Sequence, residues 1–451
     1  MTYVETIAYL DSFINYEKRD CFPYTQSFKL ERIKSFLERI GNPQDALRCI
    51  HVAGTKGKGS TCAFIAYILK EAGFKVGLYT SPHLSDVRER IRILSRTSHV
   101  ATQKSEKDFE GMISKKALVA LVQRLHPAID RFCDESEYGR LSFFEVYTAV
   151  AFSHFKEERV DFAVLETGLG GRLDATNVVK PLVCAITPIS FDHTRTLGTT
   201  LRKIATEKAG IIKRQKIMVV SAPQKSAALK VIKDRCARMG ARLWEAGKDI
   251  RWEKTERGFT ITGAAGEYKN LSIRLLGSHQ LVNAAVSIGV IKALGFYAIQ
   301  IDADTLASGL RAALWPGRCE IVSRNPLVVL DGAQNKASSR ILKETVKKEF
   351  TYDKLIVVLG ISKDKDFKGI SQELAEVADR IVLTKSNNPR AAEPCALARH
   401  FNGAEIHVTG DVKEARRVAL RLAGKDDMVL VCGSLFVVGE YRSLMYENNY
   451  S

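Results

Sequence analysis

A glycine- and lysine-rich segment, HVAGTKGKGS at residues 51–60, carries the side chains with the clearest capacity for chemistry. Glycines have no Cβ atoms, so the backbone can come close to an anion. A lysine adds an ammonium that reaches the terminal phosphates of a nucleotide, and a serine adds a hydroxyl. The pattern predicts a phosphate-binding loop, whose contact residues are Gly57, Lys58, Gly59 and Ser60.

The residues on either side have the periodicity that such a loop needs. Residues 49–53 are apolar, as in a buried strand, and residues 61–72 carry apolar side chains at helical spacing. A helix that begins here offers free N–H groups and the positive end of its dipole to an anion. The usual loop places its hydroxyl directly after the lysine, whereas here Gly59 separates Lys58 from Ser60. An ordinary glycine turn between a strand and a helix is the alternative interpretation.

A second polar cluster, LETGLGGRLDATN at residues 165–177, follows the apolar run 162–166. In open α/β sheets, ligands gather beyond the carboxyl ends of the strands. Mg²⁺ in such sites is held by one or two carboxylates together with phosphate oxygens and water. We therefore expect Glu166 to bind a magnesium ion beside the nucleotide, although a glycine turn with a capping acid would have the same sequence.

Single polar residues stand out at the ends of other predicted elements. His193 ends TPISFDH, and Lys208 in EKAGIIK is either a phosphate contact or an exposed helix residue. Asn283 in GSHQLVNAA is either a ligand contact or a surface amide. The turn WPGR delivers Arg318, a side chain suited to clamping phosphate. Asp331 follows a further apolar run and is able to accept hydrogen bonds from a ribose or an ammonium.

The overall composition restricts the class of protein. The net charge is +17, but lysines and arginines are spread along the chain without a basic block, which favours polyanionic small molecules over nucleic acid. The nine cysteines form no C-x-x-C pair, which argues against a zinc knuckle and a disulfide framework. No run approaches the ~20 apolar residues of a membrane span, and the N-terminus lacks a secretory signal. We predict a cytoplasmic protein.

The distribution of apolar runs predicts an α/β protein with two domains. Strand-like and helical runs alternate, which favours a mainly parallel sheet with helices on its faces. Residues 251–276 predict an antiparallel excursion, and residues 95–116 are polar and irregular, as in a mobile surface segment. About five strand-like runs from residue 327 onwards predict a smaller, doubly wound α/β unit. The predicted domains are residues 1–297, which contain the P-loop, and residues 298–451.

The chain resembles the folylpolyglutamate synthase and dihydrofolate synthase family of the Mur ligase superfamily. The resemblance rests on segments that occur in the family's order between residues 41 and 434, namely HVAGTKGKGST, TSPHL, VRERIRI, LETGLGGRLDATN, ISFDHTRTLG, EKAGIIK, GSHQLVNAA, WPGR and DGA. It implies an ATP-dependent ligase that joins L-glutamate to the carboxylate of dihydropteroate or a reduced folate through an acyl phosphate. It also implies that a second domain closes over the site.

The resemblance implies a role for each candidate residue. ATP phosphates would lie on residues 57–60, and Asn283, Arg318 and Asp331 would contact the nucleotide. Neither nucleic acid nor a membrane is an expected partner, and the chain is expected to be a monomer.

Two magnesium ions are also implied by the resemblance. One would be bound through Ser81 and Glu166. The second would be bound through Glu166, His193 and a carbamylated Lys208, whose added carboxylate is an anionic oxygen ligand. The residues expected to take part in catalysis are Lys58, His193 and Lys208.

The sequence departs from the family at three places. The family usually has asparagine where this chain has Lys56, and usually reads DGAHNP where this chain has Gln334 and Lys336. Residues 95–116 replace a short Asn-Gly turn. Two alternatives therefore stay open: a catalytically silent, ATP-binding regulatory protein of the same fold, and a ligase for a cell-wall precursor.

Overall fold

The computed structural model describes residues 1–19, 22–96, 109–213, 215–401 and 405–447. Within these residues the chain forms two mainly parallel α/β sheets and one small antiparallel sheet. The predicted α/β fold class is confirmed.

A seven-stranded sheet lies at the centre of the first α/β unit. Its strands are β1 (Cys49–Ala53), β2 (Val76–Tyr79), β3 (Ile91–Leu94), β4 (Phe162–Glu166), β5 (Val183–Ile186), β6 (Met218–Ser221) and β7 (Arg242–Glu245). Their order is β3-β2-β4-β1-β5-β6-β7, and β3 alone runs antiparallel to its neighbour. Strands β1, β4 and β5 are buried throughout, which explains their continuous apolar sequences.

Eleven helices accompany this sheet in the described residues. They are α1 (Tyr3–Asp11), α2 (Tyr24–Ser27), α3 (Leu30–Arg39), α4 (Lys58–Glu71), α5 (Lys115–Glu135), α6 (Phe143–Glu157), α7 (Thr194–Leu197), α8 (Leu201–Ala209), α9 (Ser226–Met239), α10 (Ser278–Ala293) and α11 (Ala303–Ala312). Helix α4 carries the end of the glycine-rich loop at its N-terminus and packs between α10 and α11. The loop is therefore anchored to the centre of the hydrophobic core.

The antiparallel excursion predicted for residues 251–276 is confirmed. It consists of β8 (Ile250–Thr255), β9 (Gly258–Gly263) and β10 (Tyr268–Leu271), in the order β10-β9-β8. Helix α10 follows, and together with the next turn it gives one stretch, Ser278–Tyr297, that is long and apolar enough to cross a membrane. Since 67% of its most apolar window is buried inside the protein, its composition is that of a core helix.

The second α/β unit has a six-stranded sheet. Its strands are β11 (Glu320–Arg324), β12 (Leu327–Leu330), β13 (Leu355–Leu359), β14 (Arg380–Leu383), β15 (Glu405–Val408) and β16 (Met428–Cys432), and its helices are α12 (Lys336–Glu349), α13 (Phe367–Ala375), α14 (Pro394–Ala398), α15 (Val412–Leu422) and α16 (Leu435–Glu447). The order is β11-β12-β16-β13-β14-β15, with β11 antiparallel. The sequence pattern missed β11 because this edge strand is only partly buried and therefore lacks an apolar run.

The polar segment at residues 95–116 lies partly outside the described residues, which stop at residue 96 and resume at Phe109. Phe109 is buried, so the end of this segment is packed against the protein. The eight cysteines of the described chain are all free thiols, as expected, and Cys21 lies outside it.

The contact between α4 and α11 is close enough to test by substitution. A Cβ atom at Gly309 would lie 2.4 Å from the Cα of Ile68. We expect Gly309→Ala to lower the free energy of unfolding by about 1–3 kcal/mol, because an overpacked core forces the helices apart. Gly295, at which a Cβ would meet nothing within 4 Å, provides the control. Thermal unfolding of the two variants measures the difference, and equal midpoints would contradict this packing.

Candidate active site

The carboxyl ends of three neighbouring strands bring the predicted polar loops together. In the register of the sheet, Val52 on β1 pairs with Glu166 on β4, and Ala53 pairs with Ile186 on β5. The loops after these strands therefore open at one edge of the sheet, where α/β proteins place their ligands. The linker at 315–318 and the second α/β unit face the same crevice.

The glycine-rich loop between β1 and α4 requires glycine for both conformation and space. Gly57 has a φ of +83°, in the left-handed region, and a Cβ there would lie 2.3 Å from Oδ1 of Asn283. At Gly54 a Cβ would lie 1.8 Å from Oγ1 of Thr187. The loop is thus pressed between α10 and the end of β5, and the N–H groups of Thr55 and Lys56 donate to the carbonyl oxygen of Pro188 after β5 at 3.0 and 3.2 Å.

Lys58 and Glu166 form a buried pair beside this loop. Nζ of Lys58 lies 3.7 Å from Oε1 of Glu166, and the two side chains are 17% and 6% exposed. Oε2 of Glu166 accepts a hydrogen bond of 3.2 Å from the N–H of Ser81. Burial raises the pKa of Glu166, and Lys58, the Ser81 N–H and Arg318 offset part of this rise. The ammonium of Lys58 therefore favours the ionised form of Glu166.

The donors on this wall fit one divalent cation that is completed by substrate oxygens. Ser81, Glu166, Gly59 and Arg318 line the same cavity. Among the residues that the structure describes, no group of three or more His, Cys, Asp or Glu side chains could hold a metal by itself. Mg²⁺ takes one or two carboxylates and completes its shell with phosphate and water, so Ser81 and Glu166 fit that ion. The second predicted set, with His193 and Lys208, stays a prediction.

Lys208 on α8 is buried under the loop and is not an exposed helix residue. Its Nζ donates a hydrogen bond of 2.7 Å to the carbonyl oxygen of Gly54. Burial, and then the nearby ammonium of Lys58, lowers the pKa of Lys208 to about 7. This amine therefore loses its proton more readily than an exposed lysine does.

Asp192 joins the two α/β units at the edge of the crevice. Its carboxylate lies 3.3 Å from Nζ of Lys56 in the loop and 3.9 Å from Nζ of Lys365 in the second unit. Burial opposes its ionisation, but Lys56, His193 and Lys365 outweigh burial and hold the pKa of Asp192 well below its usual range. The neighbouring His193 is an exposed residue at this edge, and loss of hydration beside the crevice lowers the pKa of its imidazole.

Helix α10 contributes two buried amides to the loop. Nδ2 of Asn283 donates to Oε1 of Gln280 at 2.8 Å, and Nε2 of Gln280 contacts Oγ of Ser60 at 3.4 Å. Asn283 is therefore not a surface amide. The sequence interpretation missed Gln280, although its i, i+3 spacing from Asn283 places both on one face of the helix.

Asp331 and Arg318 lie together where the linker meets the second unit. The carboxylate of Asp331 accepts hydrogen bonds from the N–H groups of Cys319 at 3.0 Å and Ala333 at 2.8 Å. It therefore fastens the residue after Arg318 to the end of β12. Arg318 itself faces the cavity that Glu166 lines.

A buried hydrogen-bonded chain supports the loop after β4. His51 Nε2 lies 2.8 Å from Oγ1 of Thr176, whose hydroxyl donates to Oδ1 of Asp174 at 2.6 Å. Oδ2 of Asp174 accepts from the N–H of Leu169 at 2.9 Å. Because the Thr176 hydroxyl donates to the carboxylate, His51 must donate from Nε2, which assigns its neutral tautomer. Burial, and then Lys213, lowers the pKa of His51 to about 3.

This buried histidine makes the protein sensitive to acid. Burial holds the pKa of His51 at about 3 in the folded chain, whereas a solvated imidazole has a pKa of 6.5. Between these values the unfolded chain binds more protons, so the stability present above pH 6.5 is lost as the pH falls, by at most ~1.4 kcal/mol per pH unit. We expect His51→Gln, which keeps an N–H donor, to lose less stability between pH 7 and pH 5. Thermal unfolding at the two pH values checks this, and parallel losses would refute it.

The chain matches two Mur ligase families and a full-length relative. The family described as "Mur ligase middle domain" matches residues 142–291, and "Mur ligase, glutamate ligase domain" matches residues 317–435. The dihydrofolate synthase/folylpolyglutamate synthase of Bacillus subtilis (strain 168) is 37% identical over 425 residues, which cover 92% of this chain and 94% of the relative. This chain belongs to the dihydrofolate synthase/folylpolyglutamate synthase family.

Solved structures of the family have the same fold over their whole length. Escherichia coli FolC in complex with DHPP and ADP is 28% identical and superimposes with a TM-score of 0.83, covering 100% of this chain and 99% of that one. A bifunctional folylpolyglutamate synthase/dihydrofolate synthase with Mn, AMPPNP and L-glutamate bound is 30% identical with a TM-score of 0.82, covering 99% and 98%. The resemblance expected from the sequence motifs is confirmed.

The departures at Lys56 and Lys336 leave the local fold intact. Asn335 begins α12 because its side-chain oxygen accepts from the N–H of Ser338 at 2.9 Å. The helix therefore starts without the proline that the family has at the position of Lys336. Lys56, which stands where asparagine is usual, gains Asp192 as an ionic partner.

Proposed function

We propose that the protein is an ATP-dependent ligase that joins L-glutamate to the carboxylate of dihydropteroate or of a reduced folate. The observation that carries the proposal is that Lys58 lies beside Glu166 and the buried Lys208 is bonded to Gly54 under the same loop, facing a domain of the glutamate-ligase family. The solved relatives bind ADP with DHPP, or AMPPNP with Mn and L-glutamate. These are the reactants that such a ligase needs.

The chemistry requires activation of a carboxylate. At neutral pH a carboxylate does not react with an amine, so one of its oxygens first attacks the γ-phosphorus of ATP and displaces ADP. Lys58 offsets the charge on the phosphoryl oxygens during this transfer. The amine of glutamate then attacks the acyl carbon of the acyl phosphate, and inorganic phosphate leaves. Magnesium, held by Ser81 and Glu166, supplies positive charge to the phosphates when it is bound.

The nucleotide contacts are proposed on the geometry of the loop and linker. The N–H groups at the start of α4, with Gly57, Lys58, Gly59 and Ser60, bind the phosphates. Asn283 borders the loop, and Arg318 reaches the cavity that Glu166 lines, which supports their assignment to ATP. Asp331 holds the backbone beside Arg318 and retains lone pairs for a ribose hydroxyl.

A carbamylated Lys208 with His193 and Glu166 is the proposed site of a second magnesium ion. Carbon dioxide reacts only with an uncharged amine, and the lowered pKa of Lys208 provides one. The carbamate replaces a cation by an anionic oxygen ligand among Lys58 and Lys56, which relieves their mutual repulsion.

The overall reaction can be tested with a panel of acceptors. Purified protein is incubated with ATP, magnesium and labelled glutamate, together with dihydropteroate or reduced folates. We expect amide formation, and ATP cleavage that depends on both glutamate and acceptor. Lys58→Ala should lower kcat by about 10²–10³-fold, as for loss of a donor to transition-state charge. The exposed control Lys75→Ala should keep full activity. ATP binding without amide product from any pteroate would instead favour the silent regulatory protein.

The carbamate can be tested by chemical rescue. Lys208→Ala should be nearly inactive, and propionate, a small carboxylate, should restore part of its activity by supplying the missing oxygen anion. Lys213→Ala is the control. Nζ of Lys213 donates to the carbonyl oxygens of Asn177 and Val179, so we expect propionate to restore no activity to this variant. ¹³C-labelled bicarbonate should give a carbamate signal in the wild type. Persistence of that signal in Lys208→Ala, without rescue, would refute this site.

We also propose where the domains divide and where the protein works. The boundary at 297/298 stays a prediction, but the packing of α11 on α4 supports a division nearer the linker at 315–318. A cytoplasmic, monomeric enzyme remains our expectation. The free thiols of the described chain support a reducing compartment.

A further inference from the structure

The unusual Lys58-Gly59-Ser60 order has a steric cause. Gly59 lies in the first turn of α4, and its φ is not in the left-handed region, so its backbone conformation does not require glycine. A Cβ at Gly59 would lie 2.7 Å from Cζ2 and 2.9 Å from Cε2 of Trp315. The indole of Trp315 thus occupies the space that a side chain at position 59 would need.

The indole is held from its other side by the end of the polar segment. The rings of Trp315 and Phe109 meet edge to face with centroids 6.5 Å apart. The guanidinium of Arg92, on β3, lies 6.0 Å from the Trp315 ring and 5.4 Å from the Phe109 ring. Nε of Arg92 also donates to the carbonyl of Glu110 at 2.7 Å. Trp315 is therefore clamped between the phosphate loop and a buried cation–aromatic group.

The same group is fastened to the helix that begins at the phosphate loop. The carboxylate of Glu110 accepts hydrogen bonds from Tyr67 Oη at 3.0 Å and from Lys70 Nζ at 2.7 Å, and both donors are on α4. Contacts therefore run from the start of α4 through Trp315 and Phe109 back to the end of α4. A displacement at either end is resisted by the other.

The linker reaches a second glycine in the other domain. At Gly332 a Cβ would lie 2.8 Å from Nη1 of Arg318. Trp315 thus packs against Gly59 of the first unit, and Arg318 packs against Gly332 of the second. Only Pro316 and Gly317 lie between the two side chains in the sequence. Because proline restricts this short connection, a displacement of the indole is transmitted to the backbone of Arg318.

We propose that Trp315 is a positioning residue that couples the nucleotide-loaded phosphate loop to Arg318 and thereby to the second domain. When phosphate binding orders the start of α4, the indole on Gly59 is held in one place. Arg318 is then presented to the nucleotide and the second domain is aligned over it. The role of Arg318 at the nucleotide rests on the proposed function, whereas the coupling between loop and indole does not.

A double-mutant cycle tests the steric coupling. We expect Gly59→Ala to lower kcat/KM for ATP by about 10²-fold, because displacement of the linker by about 1 Å misplaces Arg318. In the Trp315→Leu background the shorter side chain leaves room for a methyl group, so the same change should cost less than about 3-fold, a strongly non-additive result. Gly295→Ala should be neutral in both backgrounds. An equal loss from Gly59→Ala in both backgrounds would overturn the proposal, since the methyl group would then act on the nucleotide itself.

Fluorescence tests the coupling without turnover. The chain has three tryptophans, so the double substitution Trp244→Phe and Trp252→Phe leaves Trp315 as the only tryptophan. AMPPNP with magnesium should change its emission, and Phe109→Leu should diminish that change while calorimetry shows the nucleotide still binding. Bound AMPPNP with unchanged emission would overturn the coupling. The fluorescence measurement contains neither glutamate nor acceptor. If the protein forms no amide in the acceptor panel, the proposed function is refuted, but the fluorescence result still holds.

Discussion

Buried positive charge is the constraint on which the crevice depends. Lys208 is buried, and the half-buried Lys58 lies beside the buried carboxylate of Glu166. A buried ammonium is costly unless it is paired or loses its proton. The lowered pKa of Lys208 and the close approach of Lys58 to Glu166 are the two responses seen here. On the proposed function, the phosphates of ATP would add negative charge beside these two lysines.

The space around that charge is set by missing side chains. Gly54 and Gly57 allow β5 and α10 to close on the loop, and Gly59 admits the linker. Each glycine contacts a different element, so the position of the loop is fixed relative to the end of β5, to α10 and to the linker. The linker is consequently positioned relative to the loop by the direct contact of Trp315 with Gly59. Conformational freedom alone would explain Gly57, but steric exclusion is needed to explain Gly59.

The sequence was sufficient for strands β1 and β4, which are buried throughout, and for the motifs they carry, but not for β6, which is equally buried. Strand β4 was predicted at both ends, since its apolar run stops where Glu166 enters the crevice. Strand β11 was missed because an edge strand that is half exposed has no such run. The roles of Gln280 and Trp315 depend on which helix and which turn reach the loop. Such proximity is a tertiary property, and no local periodicity encodes it.

The same reasoning explains why departures from the family motif leave the architecture unchanged. Asn335 caps α12 with its own side chain, so the helix does not need a proline to begin at Lys336. Lys56 adds a cation to a region already rich in positive charge, yet Asp192 compensates for it and also lies near Lys365 of the second domain. The substitution therefore gives Asp192 a cationic neighbour in each unit, Lys56 in the first and Lys365 in the second. Since these two cations share one carboxylate, any ligand that draws Lys56 away from Asp192 leaves that carboxylate more available to Lys365.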